Sequence, residues 1–364
     1  MIAPLADFTP GTLTFWRNQM QNEDAGPGAG FVYMQTNEPE RNRLLAFRRA
    51  GDGTLTPAGA YETGGAGDGM PHLTSQGSVV LSGTGRYLLV TNTSSGDLSV
   101  FAVGQGGLSL VETVATGRAP KSAAEHGRLV YVLNTGEPSL AGFRLGGWKV
   151  RPLAGSRRDL AAGTDPAQVG FSPDGARLVV TQRGTNAIAV YPVLEAGQLG
   201  KPLVQPSSGP TPYGFAFTKG GGLVVTEAFG AQAGKAAASS YRISDAGVAP
   251  VSRSVGNGRS EICWAVVTSD GRYAFTTSFG DGAVSRYSID DDGIIALDEA
   301  AAGLAVDGQT GLRDEDLSGD GRFLYAIDAD SRRVFGWAVG AGGSLSPVGS
   351  WEGLPATVAG LAVS

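Results

Sequence analysis

Val169-Gly170-Phe171-Ser172-Pro173-Asp174-Gly175-Ala176-Arg177-Leu178-Val179-Val180 holds two apolar runs joined by a short Asp-Gly turn. Asp and Gly suit a tight hairpin: one bonds its own backbone and the other accepts positive φ. Beyond the second run comes Ile188-Ala189-Val190-Tyr191, a strand with an aromatic end, and then a further turn at Ala196-Gly197. The phrase reads as strands a, b, c and d of one antiparallel sheet joined by hairpins.

Working outward, the same phrase recurs along the chain. The aromatic strand returns as Leu44-Leu45-Ala46-Phe47, Leu98-Ser99-Val100-Phe101, Leu140-Ala141-Gly142-Phe143, Ser239-Ser240-Tyr241, Val284-Ser285-Arg286-Tyr287 and Val334-Phe335-Gly336-Trp337. The turn before strand b returns at Ser269-Asp270-Gly271 and Gly319-Asp320-Gly321, with Thr84-Gly85 and Gly220-Gly221-Gly222 as looser versions. The turn after strand c is present in every repeat, from Asp52-Gly53 to Gly342-Gly343. Six intervals separate Phe47 from Trp337, a period of about 48 residues, which is that of a four-stranded propeller blade. One such sheet cannot bury both its faces, whereas radial stacking gives each sheet a neighbour on either side. The fold expected is therefore all-β, a seven-bladed β-propeller.

The ends of the chain predict how the ring closes. The first repeat begins at strand b, Phe31-Val32-Tyr33-Met34, without a strand a before it. The chain finishes on an orphan strand a, Thr357-Val358-Ala359-Gly360-Leu361-Ala362-Val363. Pairing strand 357–363 with strand 31–36 would complete the first blade and remove an open sheet edge. Residues 1–30 are then an extension, with Phe15-Trp16-Arg17 as a patch able to dock on the ring, and 31–364 form the propeller.

Composition fits this plan and narrows the function. The 364 residues include 57 glycines, which fall at turns between apolar strands and not in a low-complexity tract. A net charge of −6 without long runs of like charge argues against nucleic acid or an anionic membrane as partner. No apolar run reaches membrane-spanning length. Residues 1–30 lack a basic start followed by a continuous apolar core, so the cytoplasm is the expected location. The single cysteine, Cys263, forms no internal disulfide, and its apolar neighbours predict a buried, unreactive thiol. Two histidines cannot build a histidine-rich metal site, and Asp290-Asp291-Asp292-Gly293 lacks the ligand spacing of a calcium loop. Neither metal nor cofactor is expected.

Topology says where a ligand would sit. In an a-b-c-d blade the a-to-b and c-to-d turns emerge on one face of the ring, here called the turn face. The longer d-to-a connections and b-to-c turns emerge on the other, the loop face, where variable segments surround the channel mouth. That face brings His72, Lys121, Gln168, Tyr213, Trp264 and Asp314 from the d-to-a side, with Glu261 among them, and Arg183 and Glu227 from the b-to-c side. The other histidine, His126, falls on the turn face.

The blades resemble the lactonase-family propellers, the group that includes bacterial 6-phosphogluconolactonase and fungal 3-carboxymuconate cyclase. The likeness rests on Asp52-Gly53-Thr54-Leu55, Phe171-Ser172-Pro173-Asp174-Gly175, Pro212-Tyr213-Gly214-Phe215 and the Asp-Gly-Arg turns, and it runs from about residue 31 to the end. The functional motifs differ. The family's Pro-Arg-His in the fifth blade reads Pro212-Tyr213-Gly214, its Asn-Glu-Leu reads Thr226-Glu227-Ala228, and its Asn-Arg-Gly in the sixth reads Thr277-Ser278-Phe279. An arginine stands in the fourth blade instead, in Gln182-Arg183-Gly184.

The resemblance implies a lactonase-like or cyclase-like enzyme acting on a small polar lactone, either a sugar lactone or a carboxylated one. Lactone opening needs a base to activate water and a donor for the developing oxyanion. Glu227 and His72 are the candidate bases, Arg183 or Lys121 would pair a substrate carboxylate, Tyr213 and Trp264 would form apolar walls, and Gln168 and Asp314 complete the rim. The other expectation is a non-catalytic propeller that binds a small molecule or a protein on the same face.

Overall fold

A computed structural model describes residues 28–364 apart from 71–72, 74, 105–106, 147–148, 245–246 and 307. His72 and the Phe15-Trp16-Arg17 patch lie outside the described residues. The strands form seven antiparallel sheets arranged as blades. Blade 1 is made of Gly30–Gln35, Arg43–Arg49 and Leu55–Glu62, and its innermost strand is Ala359–Val363 from the end of the chain. Val32 pairs with Val363, Tyr33 with Ala362 and Met34 with Leu361, so the expected closure is the observed one.

The inner strands of blades 2 to 7 are Val79–Leu81, Pro120–His126, Pro166–Phe171, Pro212–Phe217, Ile262–Val267 and Leu312–Leu317. Blade 3 departs from the repeat. Its outer strand is split into Lys149–Pro152 and Arg158–Asp159, both paired to Ser139–Gly146. Ser156 fills the gap between them, where its hydroxyl accepts the Gly142 N–H at 3.0 Å.

Each pair of neighbouring blades encloses an apolar cluster. Between blades 4 and 5, for example, Val179, Ile188 and Val190 meet Phe215, Leu223, Val225 and Tyr241. Between blades 7 and 1, Phe323, Tyr325 and Val334 meet Phe47, Met34 and Leu361. Side chains alternate across each strand, so successive residues serve the clusters on opposite sides of the blade. The polar turns are equally regular. In blades 4, 6 and 7 a hydroxyl donates to the turn aspartate: Ser172 to Asp174 at 2.5 Å, Thr268 to Asp270 at 2.6 Å and Ser318 to Asp320 at 2.6 Å. These bonds pull the Asp174 and Asp270 carboxyls below the usual carboxylate range. The turn face is thus structural.

Candidate functional site on the loop face

At the loop face, polar side chains on or just before the inner strands tie non-neighbouring parts of the ring together. The connection leading into blade 2 runs across the channel. The Gln76 side chain donates to the Ala265 carbonyl of blade 6 at 2.9 Å and accepts the Ala265 N–H at 3.2 Å. The Gln76 carbonyl accepts the Ser122 hydroxyl of blade 3 at 2.6 Å, and Ser75 donates to the Ala167 carbonyl of blade 4. Gln168 makes the same pair of hydrogen bonds to a backbone as Gln76, here with Phe215 of blade 5: its amide donates to the Phe215 carbonyl at 3.1 Å and its side-chain oxygen accepts the Phe215 N–H at 2.6 Å. Gly214 makes room for this girdle: a Cβ there would run into the Gln76 side-chain oxygen and the Cys263 backbone carbonyl. The inner strands beyond the girdle line a cavity of about 400 Å³ that continues to Glu125, Leu317 and Val363 at the turn face.

Above the girdle lies a small buried cluster of Ala167, Tyr213, Ala228, Cys263 and Trp264. The Tyr213 and Trp264 rings pack at 5.7 Å. Burial drives the Cys263 thiol far up in pKa, as expected of an inert cysteine. Burial does the same to the Tyr213 phenol, whose hydroxyl is buried without a hydrogen-bond partner among the described residues.

Two cationic groups cover this floor. The Arg183 guanidinium lies 4.8 Å over the Tyr213 ring and pairs with Asp165 at 2.7 Å. The Arg313 guanidinium lies 4.8 Å over Phe279, with Asp330 at 3.8 Å. Lys121 stands beside Asp68 at 3.9 Å. Burial pushes the Lys121 ammonium down, Arg183 pushes it further, and Asp68 and Asp165 oppose both. Glu261, at the approach to blade 6, is half-buried, and burial raises its carboxyl. Its φ of 54° is left-handed backbone, unusual outside glycine, at the end of a d-to-a connection.

Of the residues expected here, Lys121, Arg183, Tyr213 and Trp264 come together. Gln168 lies below them, its amide and carbonyl both bonded to the Phe215 backbone. Asp314 is buried still deeper, among the inner strands. Glu227 is placed elsewhere. It ends strand Leu223–Glu227 on the side of Leu223 and Val225, which packs toward blade 4. Its carboxylate accepts the Ser239 and Ser254 hydroxyls at 2.6 and 2.7 Å and the Gly209 N–H at 2.8 Å. It is fully buried and fastens the outer part of its own blade. The b-to-c position was legible in sequence; the side of the strand was not. Glu261 was expected on the rim without a catalytic role, and its partly desolvated carboxyl is visible only in the structure. Among the described residues no group of three or more His, Cys, Asp or Glu is arranged to hold a metal ion.

Comparisons with known proteins agree with this architecture. Residues 149–228, from the outer strand of blade 3 into blade 5, match the family model described as Lactonase, 7-bladed beta-propeller. A protein of Lactobacillus plantarum superposes with a TM-score of 0.73 at 16% identity, covering 92% of this chain and 98% of its own. The periplasmic gluconolactonase of Pseudomonas aeruginosa does so with 0.71 at 16% identity, over 91% and 98%. A Bacteroides fragilis protein provisionally described as a 6-phosphogluconolactonase gives 0.68 at 17% identity, over 94% and 99%. At these identities the structural likenesses show the fold. A search among curated proteins finds no match. The family likeness covers residues 149–228, and the likeness over the whole ring is one of fold.

Proposed function

We propose that this protein is a lactonase-like hydrolase acting on a small anionic lactone, bound on the loop face above Tyr213 and Trp264. The observation that carries the reading is that Lys121 and Arg183 lie close together, with Arg183 over the buried Tyr213–Trp264 pair, while Glu261 at the approach to blade 6 is a partly desolvated carboxylate of the same face. Arg183 offers a planar fork suited to a substrate carboxylate or phosphate, and Lys121 offers a point charge. Each already faces a carboxylate, so an anionic substrate would exchange with Asp165 and Asp68 and need not meet bare charges.

In this reading Glu261 takes a proton from water as the water oxygen bonds to the lactone carbonyl carbon. The cationic pair stabilises the oxyanion that develops. Collapse of the tetrahedral adduct breaks the ring carbon–oxygen bond, and the proton on Glu261 passes to the departing alkoxide. Glu227, buried and fully bonded, holds the frame. The test is turnover of a panel of sugar lactones, phosphorylated sugar lactones and carboxylated lactones, followed by proton release. Turnover of an anionic member that Arg183→Met weakens supports the reading. Wild-type protein that binds such a lactone but never opens it would instead make this a binding propeller, and failure to bind any member would overturn the site.

A further inference from the structure

The cavity beneath the Gln76 girdle lies apart from the loop-face site, and its wall carries charge of one sign. Its volume is about 400 Å³, and its lining is mostly apolar, from inner-strand residues such as Val79, Ala123, Val169, Val266 and Leu361. Four acidic residues interrupt that lining, Glu125 of blade 3 with Asp314, Glu315 and Asp316 of blade 7, and no Lys, Arg or His joins it. Arg313, next in sequence, lies over Phe279 toward Asp330 and outside the lining. Asp314 marks the inner end. It is 2% exposed and faces the Gly360 N–H of the closing strand on one side and the Trp264 indole of blade 6 on the other. Those two partners flank blade 7, so the carboxyl projects between them into the channel. Its Oδ2 is buried without a hydrogen-bond partner among the described residues. Asp316 stands two residues, about 7 Å, nearer the turn face. It accepts the Val363 N–H at 2.9 Å with one oxygen and the Leu317 N–H at 2.9 Å with the other, a pattern suited to an ionised carboxylate. Glu315 turns the other way, toward Thr277 of blade 6. Half-buried Glu125 stands at the turn-face opening.

We infer that the channel is a second binding site, for a small organic cation: an alkyl ammonium that enters from the turn face and bonds Asp314. A buried carboxylate oxygen with neither hydrogen bond nor counter-ion is costly, and a low-dielectric channel lined by one sign of charge focuses its field on an entering cation. The ammonium donates to Asp314 Oδ2 at the inner end, and its alkyl body lies against Val79, Val169 and Leu361. Asp316 and Glu125 add negative potential along the path. The apolar lining favours an organic cation over a metal ion. Three of the four carboxyls are strung along one strand, and among the described residues no three or more His, Cys, Asp or Glu are grouped to hold a metal. Gln76 and Gln168 close the inner end through their bonds to Ala265 and Phe215, so the site does not rest on the lactone reading.

The test is calorimetric titration of the full chain with hexylamine, hexanol, hexanoate and calcium chloride, with melting temperatures measured alongside. Hexylamine should bind about tenfold or more tighter than hexanol, and hexanoate should not bind. Asp314→Asn should weaken hexylamine about tenfold or more, and Glu125→Gln at the opening should weaken it less. Equal binding of hexylamine and hexanol would show an apolar channel with neutral acids and would overturn the inference. Absence of hexylamine binding at millimolar concentration would overturn it as well. Calcium that binds and displaces hexylamine would make this a metal site and the assignment wrong. A folded Asp314→Asn protein that binds hexylamine like the wild type would also refute it. Should that variant not fold, the wild-type series and Glu125→Gln decide, and hexylamine binding unchanged in Glu125→Gln would then place the ligand elsewhere.

Discussion

Gln76 and Ala265 meet across the ring, with the side-chain amide of one bonded twice to the backbone of the other at 2.9 and 3.2 Å. Blades 2 and 6 are not neighbours, so this pair draws the connection into blade 2 across the channel. Gly214 leaves the space that the Gln76 side-chain oxygen approaches.

Gly214→Ala should therefore act through Gln76. The added Cβ collides with the Gln76 side-chain oxygen and the Cys263 backbone carbonyl, and overpacking of this kind costs roughly 1–3 kcal/mol. Gln76→Ala loses the same two bonds without the collision and should cost about 1–3 kcal/mol. Urea unfolding checks both, and together they should cost less than their sum, because the cavity left at Gln76 accepts the new methyl.

Glu227→Ala should destabilise the fold by about 3–5 kcal/mol, since it strands the Ser239 and Ser254 hydroxyls and the Gly209 N–H in a buried place. Urea titration measures the loss. Any lactone turnover per folded molecule should stay unchanged, and a selective loss of turnover at full stability would return Glu227 to the chemistry.

Arg183→Met and Lys121→Met should each raise KM for an anionic lactone by about tenfold or more while leaving that of an uncharged one little changed, and each should lower kcat for both, since the pair also faces the oxyanion. Their melting temperatures should fall modestly, because both cations are mostly buried beside Asp165 and Asp68 and Arg183 also covers the Tyr213 ring. Steady-state kinetics on charged and neutral lactones separate the two effects.

Glu261→Gln should lower kcat by about 10²–10⁴. In the wild type, kcat/KM should rise with pH through a carboxyl value lifted by burial above the ordinary 4.5, since the base must be ionised. The variant should lose that limb of the pH–rate profile.

Removing residues 357–364 should leave Gly30–Gln35 with an unpaired edge and uncover Met34 and Phe47. Aggregation or a large fall in melting temperature is expected by light scattering and thermal unfolding. A truncated chain that melts like the full one would refute ring closure as the source of stability.

Much of the fold was legible because its signals are local and repeated. Asp174-Gly175 and Tyr191 announce a turn and a strand wherever they stand in the ring, and seven copies reinforce one another. The orphan strand read at 357–363, observed as Ala359–Val363, was legible by subtraction. The site was less so. Lys121, Arg183, Tyr213 and Trp264 were placed on the loop face by strand order alone. Glu227 was placed there too, but strand side chains alternate, and a one-residue difference in direction sends a carboxylate into the blade.

The sequence by itself determined the number of blades, their strand order, the closing strand and the face that carries the longer connections. These follow from periodic burial and turn chemistry, which act between near neighbours and need no knowledge of the whole. Only the tertiary structure decided that Gln76 reaches Ala265, that Glu227 is spent inside blade 5, and that Asp314 and Asp316 hold Gly360 and Val363. Each joins residues far apart in the chain through the direction of a side chain. Ring curvature and packing set that direction, and no short stretch of sequence encodes it.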